Sequence, residues 1–231
     1  MSGERLTIKT PDGDFSAYVD RPAQTPAPVI VVIQEIFGVN KVMRDIADDF
    51  AAQGYIAVCP DLFWRIEPNI DITDQSEAEW KRAFELFNAF DVEKGIEDIA
   101  ATIDQVRGID GGTGKVGAVG YCLGGRLAYL TATRTDIDAA VGYYGVGIEN
   151  YLPEAEKLAR PLLLHIAAED GFVPKEAQAL IHQELDNHAQ IEIHDYPGCD
   201  HAFARHGGEH YDAAAAELAN SRTAAFFKAN L

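Results

Sequence analysis

Cys122 stands in the run Gly120-Tyr121-Cys122-Leu123-Gly124-Gly125. An apolar, strand-like stretch, Lys115-Val116-Gly117-Ala118-Val119, precedes it, and a helix-like stretch from Arg126 to Thr133 follows. A nucleophile on a sharp strand-to-helix turn, with glycines two residues to either side, is lifted out of the sheet by strained backbone angles that bulkier neighbours would obstruct. The next helix then aims its N-terminus at the sulfur, which favours a thiolate and supplies backbone N–H donors. That chemistry is attack on a carbonyl carbon. Three other apolar runs end in residues that complete it. Ile166 leads through Ala167-Ala168-Glu169 to Asp170, Tyr196 leads through Pro197-Gly198-Cys199-Asp200 to His201, and Val29–Ile33 leads into Gln34-Glu35-Ile36-Phe37-Gly38. If the strands are parallel, all four ends share one edge of the sheet, where ligands bind. His201 is the base titrating near neutrality. Asp170, with Glu169 as its rival, would fix the imidazole tautomer and stabilise the imidazolium. The N–H groups of Leu123 and Ile36 would form an oxyanion hole, in which loss of one donor costs about 3 kcal/mol. From the residues alone, Glu35 reads equally as a turn cap.

The elements that must position these groups alternate. Leu6-Thr7-Ile8-Lys9 and Phe15-Ser16-Ala17-Tyr18-Val19 flank Pro11-Asp12-Gly13-Asp14 and predict an antiparallel N-terminal hairpin at a sheet edge. Strands follow at Val29–Ile33, a continuous β-branched run typical of burial on both faces, and at Ile56–Cys59, Val116–Val119, Ala139–Tyr144, Pro161–Ile166 and Gln190–Tyr196. Helices are expected over Lys41–Gln53, Glu77–Phe90, Val92–Val106, Arg126–Thr133, Pro174–Leu185 and Tyr211–Lys228, and Leu62–Thr73 reads as irregular. The expectation is one α/β domain over residues 1–231, a mostly parallel central sheet with helices on both faces. The chain order of nucleophile, acid and histidine is that of the α/β-hydrolase fold.

Composition narrows the function. Nineteen Lys and Arg against 37 Asp and Glu give a formal net charge of −18, which argues against nucleic acid or an anionic membrane as partner. The three cysteines, Cys59, Cys122 and Cys199, are an odd set for a disulfide framework, so a reducing cytoplasm is expected. The start at Met1 has no apolar leader, suggesting an unprocessed chain, and no apolar run is long enough to span a bilayer. Cys59 reads as core and Cys199 as loop packing. His165, His182, His188 and His194 read as structural or solvent-facing. His206 and His210 are four apart, but nothing at ligand spacing completes a metal set, so no metal or other cofactor is expected.

Gln34-Glu-Ile-Phe-Gly-Val-Asn40, Cys59-Pro-Asp-Leu-Phe63, Gly120-Tyr-Cys-Leu-Gly-Gly125, Val141-Gly-Tyr-Tyr-Gly-Val-Gly147 and His201-Ala-Phe-Ala-Arg205 together resemble the dienelactone hydrolases, or carboxymethylenebutenolidases. The likeness runs from about Val29 to the C-terminus. It implies a Cys122-His201-Asp170 triad and gives Glu35 the part of a carboxylate that takes the resting thiol's proton and swings away when substrate binds. It implies a small unsaturated lactone bearing a carboxylate as substrate, with Arg205 as one carboxylate-binding arginine. Two positions depart from the pattern: Trp80 falls where a second arginine is expected, and Ala202 replaces a serine after the histidine. These point to a rebuilt, more apolar pocket walled by Trp80, Phe84, Phe37 and Tyr144. The expected partner is a small ester or lactone, and the expected assembly a monomer or small homo-oligomer. A broader esterase or thioesterase, with activated phosphoesters within its range, is the nearest rival; a redox-sensing or binding protein with an elbow cysteine is the rival from another class.

Overall fold

The computed structural model describes residues 3–231; the reading of the Met1 start lies outside them. An eight-stranded, mostly parallel sheet with helices is formed in the order β1-β2-β4-β3-β5-β6-β7-β8. The strands are β1 (Glu4–Thr10), β2 (Gly13–Asp20), β3 (Ala27–Ile33), β4 (Ile56–Pro60), β5 (Gly112–Tyr121), β6 (Ala139–Tyr143), β7 (Leu162–Ala167) and β8 (Ile191–Tyr196). The helices are α1 (Lys41–Ala52), α2 (Glu77–Ala89), α3 (Val92–Arg107), α4 (Leu123–Arg134), α5 (Lys175–Leu185) and α6 (Ala213–Asn230). The chain falls into two compact units, the first ending at Ala118 and the second running Val119–Leu231.

In the first unit, β1 and β2 form the expected antiparallel hairpin, with Thr10 opposite Gly13, and β2 continues antiparallel onto β4. β3 pairs parallel with β4, and from Val29 to Ile33 every residue of β3 is buried. That is why its pattern is a continuous β-branched run rather than an alternation. In the second unit β6, β7 and β8 are parallel neighbours. β7 is buried throughout, while β8 is half-exposed along most of its length, as an edge strand is.

Side-chain caps start four helices: Asn40 accepts from the Met43 amide, Ser76 from Glu79, Asp91 from Lys94 and Asp212 from Ala215. The last of these sets the start of α6 at Ala213, two residues later than the apolar pattern suggests. α4 begins at Leu123, three residues before the expected Arg126, because close packing holds Gly124 and Gly125 in the helix despite their low propensity. A 3₁₀ segment over Ile148–Lys157, with Pro153 inside it, had no sequence counterpart.

The first unit also buries a carboxylate. Asp98 on α3 is fully enclosed, and its oxygens accept from Trp64 Nε1 at 2.8 Å, Arg65 Nε at 2.9 Å and Arg65 Nη2 at 2.8 Å. Removing one partner of such a pair strands a charge in the interior. Arg65→Met is expected to lower the unfolding free energy by about 3 kcal/mol in urea denaturation. Adding Asp98→Leu to that variant should recover most of the loss.

Candidate active site

Cys122 forms the corner between β5 and α4 with φ 57° and ψ −115°, a region that non-glycine residues rarely occupy. Its amide donates to the Tyr143 carbonyl at 3.1 Å, and its carbonyl accepts from the amides of Gly125 at 3.0 Å and Val146 at 3.4 Å. The corner leaves no room for side chains beside it. A Cβ on Gly120 would stand 1.9 Å from the Gly124 carbonyl oxygen, and one on Gly125 would stand 2.5 Å from that of Tyr143. No side chain caps α4, so the N–H of Leu123, its first residue, has no intrahelical partner.

His201 lies in the turns after β8 and is buried. Its Nδ1 lies 2.9 Å and 3.1 Å from the two carboxylate oxygens of Asp170, which follows β7. The two loops are tied together. Asp170 Oδ1 also accepts from the amides of Phe172 and Val173, at 2.8 and 3.2 Å. Asp200 Oδ1 accepts from the amides of Gly171 and His201, at 2.9 and 2.6 Å. The Ala168 amide donates to Tyr196 O and the Glu169 amide to Cys199 O. The Glu169 side chain turns outward to Lys175 at 3.1 Å, so the geometry separates it from its neighbour Asp170.

Aromatic rings hold the imidazole on two sides. Tyr144, buried at φ 38°, presents a T-shaped contact at 5.1 Å between centroids, and Phe172 presents another at 4.9 Å. Nε2 is buried and finds no partner at hydrogen-bonding geometry. Burial disfavours the imidazolium, but the negative charge of Cys122 and then the bond to Asp170 outweigh it and push His201 up to about 10. Burial holds the other two thiols protonated: it raises Cys59, with Asp61 adding to the effect, and Cys199, with Asp212 adding. Of the four non-glycine residues at positive φ among the described residues, Tyr144 contacts this histidine, Ala202 follows it and Cys122 acts on its charge.

The second unit thus brings Cys122, Leu123, Tyr144, Asp170 and His201 together, with Arg205 buried one turn beyond the histidine. In the first unit Glu35, Ile36 and Phe37 are buried directly after β3. Phe37 meets Trp80 edge-on at 5.2 Å, and Trp80 stacks on the exposed Phe84 at 5.6 Å on α2. His206 contacts the ring of Tyr211, and His210 lies 3.7 Å from Asp200. The sequence reading missed three features. Asp200 and Phe172 carry signals only in hindsight, each adjoining a triad candidate. The third is a buried polar chain: His165 Nδ1 contacts Tyr196 Oη at 2.8 Å, His165 Nε2 contacts Thr223 Oγ1 at 2.9 Å, and Tyr143 Oη contacts Thr223 Oγ1 at 2.6 Å. Burial, with His194 and Arg222 adding, holds His165 well below its ordinary value.

A strand-turn-helix corner carrying a cysteine, followed along the chain by an aspartate-bearing and a histidine-bearing loop on a mostly parallel sheet, has the arrangement of the α/β-hydrolase class. Residues 15–231 match the model of the dienelactone hydrolase family, and the chain belongs to that family. It is 52% identical over 222 residues to an Azospirillum brasilense protein provisionally named a carboxymethylenebutenolidase, covering 95% of both chains. It is 44% identical over 223 residues to the carboxymethylenebutenolidase of Pseudomonas putida, covering 96% of this chain and 94% of that one. A crystal structure described provisionally as a dienelactone hydrolase from Klebsiella pneumoniae superposes with a TM-score of 0.84 at 27% identity over 98% of each chain. The protein is a hydrolase of this family.

The two buried histidines link pH to stability with opposite signs. The raised His201 adds stability that is complete below its ordinary value of 6.5 and is lost as pH climbs toward 10. The lowered His165 adds stability that is complete above 6.5 and is lost as pH falls. In ¹H–¹³C spectra the His201 ring should titrate far above 6.5 as one member of a coupled pair. Its midpoint should fall in Cys122→Ala, while His165 stays neutral through mild acid.

Proposed function

We propose that the protein hydrolyses small esters or lactones through Cys122, with His201 as proton carrier and Asp170 as its partner. The observation that carries this reading is the His201 ring: Nδ1 is held by Asp170, and Cys122 acts on the same buried imidazole through its charge and its side-chain contact. The thiolate adds to the ester carbonyl carbon, and the oxyanion so formed accepts from the Leu123 N–H. Collapse expels the alcohol, whose oxygen takes the proton from His201 Nε2, and a thioester remains. Neutral His201 then removes a proton from water as the water adds to the thioester carbonyl. Expulsion of the thiolate releases the carboxylic acid and restores the thiolate–imidazolium pair.

Cys122→Ala should abolish turnover while leaving the melting temperature near that of the unaltered protein. Mass spectrometry of the unaltered protein with a slow ester should detect the acyl group on Cys122. Retained turnover in Cys122→Ala removes the sulfur from the mechanism.

A second reading concerns the substrate. Trp80 and Ala202, the two positions that depart from the family pattern, favour an esterase that accepts neutral substrates over one restricted to carboxylated lactones. Arg205→Ala separates the two. A loss of about tenfold or more in kcat/KM for a carboxylated lactone, with neutral esters affected less, assigns Arg205 to carboxylate recognition. An equal effect on both classes favours the neutral-ester reading.

A further inference from the structure

We propose that Phe172 determines which leaving group the enzyme prefers, selecting esters and lactones whose departing oxygen is borne by a flat, unsaturated group. This rests on the hydrolase reading above, because it concerns the oxygen that receives the proton of His201.

Phe172 is two residues beyond Asp170, and its amide is bonded to Asp170 Oδ1 at 2.8 Å. The root of the side chain is therefore fixed by the same carboxylate that holds the imidazole. Its ring meets the His201 ring at 4.9 Å and an interplanar angle of 73°. Tyr144 meets the same imidazole at 5.1 Å and 65°. The two aromatics differ in one respect: Tyr144 is 2% exposed and Phe172 is 47% exposed. One neighbour of the imidazole is thus sealed into the core, and the other turns much of its surface to solvent. What sets Phe172 apart from other exposed apolar side chains, such as Phe84 and Leu218, is that its ring also meets the buried His201 imidazole.

The chemistry fixes what covers it. When the tetrahedral adduct collapses, the C–O bond breaks and the oxygen takes the proton from His201 Nε2. The oxygen must come within hydrogen-bonding reach of Nε2, so the group it carries lies within about a ring's width of the imidazole. Phe172 lies within that distance, its ring centroid 4.9 Å from that of the imidazole. A planar π system gains offset or edge contacts there that a tetrahedral alkyl group does not. The contact forms on the side of the substrate that departs, so it bears on acylation, which kcat/KM reports.

Phenyl acetate and 2,2,2-trifluoroethyl acetate test this, since they share an acyl group and have activated leaving groups but differ in planarity. For Phe172→Ala, kcat/KM for the phenyl ester should fall about tenfold and that for the trifluoroethyl ester about twofold. The preference between them therefore drops about fivefold. Phe172→Tyr, which keeps the ring, should restore the preference; Phe172→Leu, apolar but not aromatic, should not. Equal falls for both esters mean that the ring only props the imidazole, and they overturn the inference. An unchanged preference overturns it too. The hydrolase reading is judged separately, by turnover in Cys122→Ala, where Phe172 is untouched.

Discussion

The backbone at Cys122 is the constraint on which the rest of the site depends. A non-glycine residue at φ 57° costs on the order of 1–3 kcal/mol and persists only where its surroundings leave no alternative. Here the surroundings are other backbone. The first turn of α4 lies against β6 and the residues after it so closely that a Cβ on Gly145 would stand 2.8 Å from the Gly125 carbonyl carbon. The Cys122 amide and carbonyl are bonded to Tyr143 and Val146 on the same stretch. The segments Gly120–Gly125 and Val141–Gly147 are therefore two halves of one contact. A bulky residue in either would push the helix away from the strand and relax the corner that presents the sulfur.

The acid and histidine loops use a different device. Two aspartates are shared between them. Asp170 belongs to the loop after β7 and binds the His201 ring; Asp200 belongs to the loop after β8 and binds the Gly171 amide along with that of His201 itself. Neither loop has regular secondary structure to hold its shape, and each takes its conformation partly from the other's carboxylate. Phe172 and Val173 amides on Asp170 complete the arrangement. Charge-assisted bonds of this kind are stronger than neutral ones, so the two carboxylates fix the position of the imidazole closely.

Much of this was legible in the sequence because strand ends announce themselves. Each candidate at Glu35, Cys122, Asp170 and His201 lies within a few residues of an apolar run, and parallel strands bring such ends to one edge. The hairpin was legible from alternation, and β3 from an unbroken apolar run. What escaped was set by contacts between distant residues. Glu169 and Asp170 cannot be ranked by type or spacing, and only the turn of the loop sends one to Lys175 and the other to His201. The 3₁₀ segment has a proline inside it, which argues against a regular helix over those residues. His165 meets a partner 58 residues away, a separation that no local pattern records.

That last cluster has an internal logic. Tyr143 donates its single proton to Asn220 Oδ1 at 3.0 Å. Thr223 must then donate to the Tyr143 oxygen, and Thr223 Oγ1 must accept from His165 Nε2. His165 Nδ1 is left as an acceptor for the Tyr196 hydroxyl, whose oxygen in turn accepts from Arg222 at 3.1 Å. One direction of donation therefore runs from the Arg222 cation to the Asn220 carbonyl and fixes His165 as the neutral Nε2–H tautomer. A second ring proton would point at an oxygen already facing Arg222, and burial would add its own cost. The chain matters to the site because the His165 carbonyl accepts from the Tyr144 amide at 2.7 Å, and Tyr144 carries the ring that backs His201. The neutrality of one buried histidine thus helps to hold the wall against which the charged one works.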